Sequence, residues 1–360
     1  VVVALLFAAG IAALILGANL LVRGSSALAA ALGISPLVVG LTVVAFGTSS
    51  PELAVSVQSA WSGRADIAVG NAVGSSVFNV LFILGLSALV APLGVAGQLV
   101  RKEVPLTIGA SVLLFVLAWS GNIGRWEGAL LFAGIVAYTA WLLRAARREG
   151  EPASGDYARE FGDAAAARGR HWALQVGLVV LGLALLVAGS RWLVEGAVTL
   201  ARRIGLSELV IGLTIVAAGT SLPEVAASIV ATLKGERDIA VGNVVGSNLF
   251  NILAVLGLSA LVSPAGLAVA PALLRFDIPV MIAVMVACLP IFFTGHRIER
   301  WEGAVFLAFY AAYVAYLVLA AKGHAALPVY GAVLAGFVLP LTALTLGILA
   351  WRSWRRPSAP

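Results

Sequence analysis

Apolar stretches long enough to cross a bilayer, interrupted by short polar turns, make up nearly the whole chain. A hydrocarbon core about 30 Å thick needs roughly 20 apolar residues in helical form. On that measure the pattern predicts spans over 1–22, 36–62, 66–92, 103–120 and 125–145, and again over 172–198, 208–234, 238–264, 274–294 and 300–321. One further stretch, 325–351, is also long enough, and Pro328 and Pro340 predict a kink in it. A re-entrant or surface-lying course is the alternative for that stretch. The chain opens VVVALLFAAGIAALILGANLLVRG, with no basic segment in front and no small-residue cleavage site, so it reads as a first span and not as a signal peptide. It lacks an initiating Met, and a few residues are expected to precede Val1.

The pattern is written twice. Residues 66–91, DIAVGNAVGSSVFNVLFILGLSALVA, match residues 238–263, DIAVGNVVGSNLFNILAVLGLSALVS, at 19 of 26 positions with an offset of 172. The same offset carries Gly40 to Gly212, Glu52 to Glu224 and Pro92 to Pro264; further on it drifts, and RWEG at 125–128 meets RWEG at 300–303. Each half holds five spans. An odd number makes the second half enter the membrane with opposite orientation, an inverted-topology repeat. The fold class expected is therefore an all-α polytopic membrane protein of two inverted five-helix repeats plus one extra C-terminal helix. The units are a first repeat (1–145), a cytoplasmic linker (146–171), a second repeat (172–321) and an extra span with a basic tail (322–360).

Composition supports this. The chain is 61% hydrophobic and only 11% charged, where a soluble domain would carry about a quarter charged residues. The net charge of +6 does not call for nucleic acid, because the basic residues fall in short loops. Sixteen of the 23 collect on one side: Arg23, Arg101, Lys102, the linker arginines, Lys234, Arg237, Arg297, Arg300 and the C-terminal arginines. By the positive-inside bias that side is cytoplasmic, with the N-terminus outside and the C-terminus inside. The short loops suit a prokaryotic inner (plasma) membrane. Cys288 is a lone cysteine, so no disulfide forms within the chain, and His171, His296 and His324 make no metal-ligand spacing.

Against this background two acids stand out. GTSSPE at 47–52 and GTSLPE at 219–224 place a Glu and a Pro inside apolar runs. Pro51 has no N–H and crowds the carbonyl of Gly47, so the helix is expected to open there. Thr48 and Glu52 share a face, with Ser49 beside them, and Thr220, Ser221 and Glu224 repeat the set. The next span of each half adds Ser75 with Asn79 and Ser247 with Asn251, four residues apart. These are hard oxygen donors, which suit Na⁺ or Ca²⁺. An ionisable residue in a span is a functional candidate by default, whereas Ser and Asn also hold spans together. Asn71 and Asn243 are read as backbone hydrogen-bonding residues, and Asp66 and Asp238 as helix N-terminal charges. Arg191 and Glu195 are read as an ion pair near a membrane face, and the tryptophans at 126, 141, 172, 192, 301 and 351 as an interfacial belt.

GLTVVAFGTSSPEL with GNAVGSSVFN, and GLTIVAAGTSLPEV with GNVVGSNLFN, resemble the two alpha-repeats of the calcium/cation antiporter family, in its sodium/calcium exchanger branch of prokaryotic type. The resemblance covers residues 1 to about 321. It implies ten helices in two inverted halves with four central helices around the ion site, and first and sixth helices that slide against the rest. It further implies Glu52 and Glu224 as the main cation ligands. Thr48, Ser49, Thr220, Ser221 and the carbonyls of Ala45 and Ala217 would contribute oxygens, and Ser75, Asn79, Ser247 and Asn251 would close the site. Some members carry Asp where this chain has Asn251, which argues against potassium co-transport. The proton-coupled branch carries an acid where Gly74 and Gly246 stand. The regulatory insertion of animal members is missing, and 325–351 is not part of the ten-helix pattern.

The function so implied is secondary active antiport of Ca²⁺ against Na⁺ by alternating access. A Ca²⁺/H⁺ exchanger is the alternative, since a buried Glu also takes protons; a passive cation channel is a third reading. No HExxH, no GxSxG and no His–Ser or His–Cys arrangement suggests an enzyme. The expected partners are inorganic cations as substrates and the lipid bilayer, with no cofactor and no nucleic acid. Oligomeric state is left open.

Overall fold

The computed structural model describes residues 2–149, 172–203, 217–293, 295–334, 336, 339, 340 and 347. Helices dominate it: α1 (Val2–Leu32), α2 (Pro36–Thr48), α3 (Ser50–Trp61), α4 (Ala65–Val90), α5 (Val104–Ala118), α6 (Arg125–Glu149), α7 (Trp172–Arg203), α8 (Ala217–Thr220), α9 (Leu222–Leu233), α10 (Arg237–Val262), α11 (Leu273–Phe293), α12 (Arg300–Ala321) and α13 (Leu327–Val333). Among the described residues, seven helices are long and apolar enough to cross a membrane whole; α2 and α3 together are also long and apolar enough, as a pair bent by 47°. The linker 150–171, most of the run leading into α8 and most of 341–360 lie outside the described residues. Of the stretch 325–351, expected to cross as an extra span, the described part is mainly α13, where the Tyr330 hydroxyl donates to the Ala312 carbonyl of α12 at 2.9 Å.

Among the described residues, four two-residue strands reveal the topology. β1 (Leu93–Gly94) and β3 (Leu267–Ala268) are repeat counterparts, as are β2 (Asn122–Ile123) and β4 (Arg297–Ile298). Counterparts do not pair with each other. β1 pairs antiparallel with β4, in the register Leu93 with Ile298, and β2 with β3, in the register Ile123 with Leu267. In the first half β1 follows the third span and β2 the fourth; in the second half β3 and β4 hold the same places. Pairing of unlike places brings the same element to opposite membrane faces in the two halves, which is the inverted repeat.

α4 and α10 form the centre, with most of their side chains enclosed, whereas α12 is peripheral and has few fully buried side chains. Glycines set the close contacts, since small residues are what let helices approach in lipid. A Cβ on Gly85 would lie 2.9 Å from the Gly303 carbonyl oxygen, and one on Gly257 3.0 Å from that of Gly128. Gly128 and Gly303 end the two RWEG sequences, so each half's fifth span packs on the other half's third. α1 and α7 run along each other through a second glycine seam. A Cβ on Gly17 would come 2.8 Å from the Gly182 carbonyl oxygen, and one on Gly10 3.0 Å from that of Gly189.

Two boundaries differ from expectation. α1 runs to Leu32 and not to 22, because Arg23 ends the apolar surface without ending the helix: its side chain is exposed, and GSSALAAAL continues to Gly33 at φ +66°. α7 likewise continues through two arginines to Arg203. π-helical turns also appear, at Gly40–Val44, Asn79–Leu84, Leu99–Glu103, Phe250–Val255 and Leu273–Asp277. Such turns occur often at functional sites. Two of them carry buried acids that each meet a tyrosine on the next span. The Tyr138 hydroxyl donates to Glu103 Oε2 at 2.6 Å, and the Tyr313 hydroxyl to Asp277 Oδ1 at 2.7 Å.

Gly17→Leu and Gly182→Leu should each lower stability by about 1–3 kcal/mol through overpacking of the α1–α7 seam. Gly177→Leu, with no atom within 4 Å of its added Cβ, should stay within about 0.5 kcal/mol of the native chain. Thermal unfolding of detergent-solubilised protein checks this; equal behaviour of the three variants would contradict the seam.

Candidate functional site

The break between α2 and α3 falls at Ser49 (φ −80°, ψ 5°), two residues beyond the expected opening at Gly47. Ser221 has nearly the same geometry (φ −89°, ψ 7°) between α8 and α9. Pro51 and Pro223 stand in the first turns of α3 and α9, where a missing N–H costs nothing. Glu52 and Glu224 occupy the same first turns, where the positive end of the helix favours a carboxylate. The Phe46 carbonyl released by the break is taken by the Ser50 hydroxyl at 3.0 Å.

The two carboxylates are cross-linked through the other half's hydroxyl. Ser221 Oγ donates to Glu52 Oε1 at 2.8 Å, and Ser49 Oγ donates to Glu224 Oε1 at 2.9 Å. Ser75 Oγ lies 3.1 Å from Ser221 Oγ. Glu52 and Glu224 are each only 1% exposed, and among the described residues neither has a cationic partner. Their second oxygens, Glu52 Oε2 and Glu224 Oε2, have no hydrogen-bond donor. Asn79 Oδ1, Asn251 Oδ1 and Ser247 Oγ are also buried without a partner. Of the six candidates Glu52, Glu224, Ser75, Ser247, Asn79 and Asn251, five therefore keep a buried oxygen that bonds nothing. An unpartnered buried polar atom carries a cost, and a buried unpaired charge a larger one.

The breaks are clamped by Asn71 and Asn243. Asn71 Nδ2 donates to the Glu52 carbonyl at 3.2 Å and to Ser56 Oγ at 2.9 Å; Asn243 Nδ2 donates to the Glu224 carbonyl at 3.4 Å and to Ser228 Oγ at 3.0 Å. Each Oδ1 then accepts from the opposite half: Thr220 Oγ1 reaches Asn71 at 3.4 Å and Thr48 Oγ1 reaches Asn243 at 3.1 Å. The expected backbone role of these asparagines is what the structure has. Thr48 and Thr220 join the clamp to the carboxylate cluster, Thr48 lying against Glu224 and Thr220 against Glu52, while Ser49, Ser221 and Ser75 lie in the cluster itself. The Ala45 carbonyl accepts the Ser49 N–H at 3.0 Å; Ala217 begins α8, one turn before Ser221.

Beside the break lies a cavity of about 620 Å³, lined by Phe46, Gly47 and Ser50 on one side and by α7 residues including Arg191, Trp192 and Glu195 on the other. Arg191 and Glu195 do not pair, contrary to the expectation from their spacing. Among the described side chains the ion pair present is Arg297 with Glu299 at 3.2 Å. Spacing of four residues allows contact on a helix but does not compel it when both groups have open space beside them. Asn248 is a site neighbour that the sequence pattern does not single out. It accepts from Asn79 Nδ2 at 3.1 Å, and its signal is a mismatch inside the repeat, where Ser76 is the counterpart.

No group of three or more His, Cys, Asp or Glu occurs among the described residues, so any ion held here would depend on two carboxylates and neutral oxygens. The sequence profile of the family described as sodium/calcium exchanger protein matches residues 2–144 and 174–319. The chain is 41% identical over 308 residues to the putative antiporter CaxA of Alkalimonas amylolytica, covering 84% of this chain and 95% of that one. It is 34% identical over 294 residues to the sodium/calcium exchanger MaX1 of Methanosarcina acetivorans, covering 73% and 82%. The solved structure of the sodium-calcium exchanger NCX_Mj soaked with 2.5 mM Na⁺ and 0.1 mM Ca²⁺ superposes with a TM-score of 0.75 at 27% identity, over 88% of this chain and 98% of that one.

Asn71→Ala and Asn243→Ala should each destabilise the protein by about 1–3 kcal/mol, because each strands a buried carbonyl and a hydroxyl. The half-buried Asn19, whose side chain bonds only the Ile15 carbonyl of its own helix, is the control. Thermal unfolding that ranks Asn19→Ala with the other two would contradict the clamp.

Proposed function

The chain belongs to the sodium/calcium exchanger family, and from that premise we propose that it is a secondary active antiporter exchanging Ca²⁺ for Na⁺ by alternating access. The observation that carries the reading is the crossed carboxylate pair, each acid with one oxygen tied to the other half and one oxygen unbonded. Glu52 and Glu224 are the main cation ligands. Asn79, Asn251, Ser75 and Ser247 flank them, and Thr48, Ser49, Thr220, Ser221 and the carbonyls of Ala45 and Ala217 complete the oxygen set. One Ca²⁺, or more than one Na⁺, offsets the two charges. An unbalanced pair of buried carboxylates is costly to enclose, so the loaded carrier closes and the empty one resists closing. Coupling follows from that inequality.

The repeat units 1–145 and 172–321 act as the two inverted halves, joined by the linker 146–171 and followed by 322–360. The arginine-rich side is cytoplasmic, the N-terminus is outside, and the membrane is a prokaryotic inner membrane, in keeping with the prokaryotic relatives. Asn251 in place of an acid favours exchange without potassium. Na⁺ is the counter-ion favoured by Gly74 and Gly246, where an acid would mark the proton-coupled branch.

Radiolabelled Ca²⁺ uptake into proteoliposomes separates the readings. An outward Na⁺ gradient should drive accumulation, and a pH gradient in sodium-free buffer should not. Accumulation on the pH gradient would make H⁺ the counter-ion, and equal uptake without any gradient would make the protein a channel. Glu52→Gln and Glu224→Gln should each reduce exchange to the protein-free background while unfolding at a temperature close to that of the native chain. Native exchange rates in either variant would remove the assigned site.

A further inference from the structure

Asn79 and Asn248 lie side by side in the core, each 1% exposed. Asn79 Nδ2 donates to Asn248 Oδ1 at 3.1 Å, and Asn248 Nδ2 points at the Met285 sulfur of α11 at 3.6 Å. A thioether accepts weakly and donates nothing. That property fixes the amide of Asn248. Rotating it by half a turn would set its oxygen against the sulfur and its NH₂ against the NH₂ of Asn79. Rotating Asn79 alone would set two amide oxygens face to face. Among the four combinations of the two amides, this one sets no oxygen against the sulfur and no like groups against each other, and it leaves Asn79 Oδ1 as a buried oxygen with no donor.

We propose that Asn248 is a positioning residue that turns the Asn79 carbonyl oxygen, and not its NH₂, toward the carboxylate pair. This rests on the reading of Asn79 as a cation ligand. An NH₂ presented to a cation would repel it, whereas the carbonyl is a hard oxygen ligand. The device exists in one half only. The repeat counterpart of Asn248 is Ser76, whose hydroxyl donates to the Ala72 carbonyl of its own helix at 2.8 Å. Asn251 therefore has no equivalent support from Ser76. The symmetric site holds one amide pinned from behind and one that is not, and Asn79 is the preorganised member.

The test is equilibrium binding of Ca²⁺ to the purified full chain in detergent, followed by radiolabel or calorimetry. Asn248→Ala should weaken binding about tenfold. In an Asn79→Asp background the same substitution should change binding less than about twofold, because a carboxylate presents equivalent oxygens in either rotation. A loss of similar size in both backgrounds would mean that Asn248 only fills space, and would overturn the proposal. So would native affinity in Asn248→Ala, or loss of Ca²⁺ binding in Asn79→Asp itself. If Asn248→Ala does not fold, Met285→Leu decides: it keeps the volume and frees the Asn248 amide, and it should weaken binding in the native background but not in the Asn79→Asp background. A native chain that binds no Ca²⁺ would remove the functional reading and this proposal together, whereas the outcomes above strike the proposal alone.

Discussion

Each buried carboxylate is held by a hydroxyl that stands three residues before the other one. Ser49 precedes Glu52 and bonds Glu224; Ser221 precedes Glu224 and bonds Glu52. This crossing binds the two halves at the point where each leaves helical geometry. It also places two acids from opposite membrane orientations in one enclosed space. Glycines, prolines and clamping asparagines around it serve that arrangement: the prolines sit where the helix restarts, and Asn71 and Asn243 hold the carbonyls of the two glutamates themselves.

The fold shows elsewhere how it treats a carboxylate that ties spans together. Glu103 is fully buried, yet Gln98 donates to one of its oxygens at 2.8 Å and Tyr138 to the other at 2.6 Å. Asp277, its counterpart, has Tyr313. Glu52 and Glu224 each retain an oxygen with no donor, as do Asn79 and Asn251. The difference separates acids that join spans from acids left with bonding capacity. In a medium that offers no water, that capacity is what a captured cation would use.

Much of this is legible in the sequence because it is local or repeated. The doubled segments mark the inverted halves, and the spacing of Thr48, Ser49 and Glu52 marks one polar cluster per half. What stays hidden is pairing across about 170 residues. Nothing in GTSSPE says that Ser49 bonds the other half's glutamate, or that Thr48 turns to Asn243. Glu103 with Tyr138 escapes notice because nothing in the spacing links an acid at the start of one span to a tyrosine 35 residues on. The length of α1 is underestimated because a basic residue marks the edge of apolar surface and not the end of hydrogen bonding. Arg191 and Glu195 fail in the opposite direction: helical spacing suggests a bond that an open cavity beside them makes unnecessary.

The central claim is that the enclosed acids must be charge-balanced before the carrier can change the side to which they open. Its most direct test uses proteoliposomes loaded with radiolabelled Ca²⁺ and diluted into sodium-free choline medium, with or without unlabelled Ca²⁺ outside. Efflux should be slow into the ion-free medium, because the emptied site cannot return, and faster when external Ca²⁺ reloads it. Equal efflux under the two conditions would show that the unloaded pair crosses freely, and would contradict the claim.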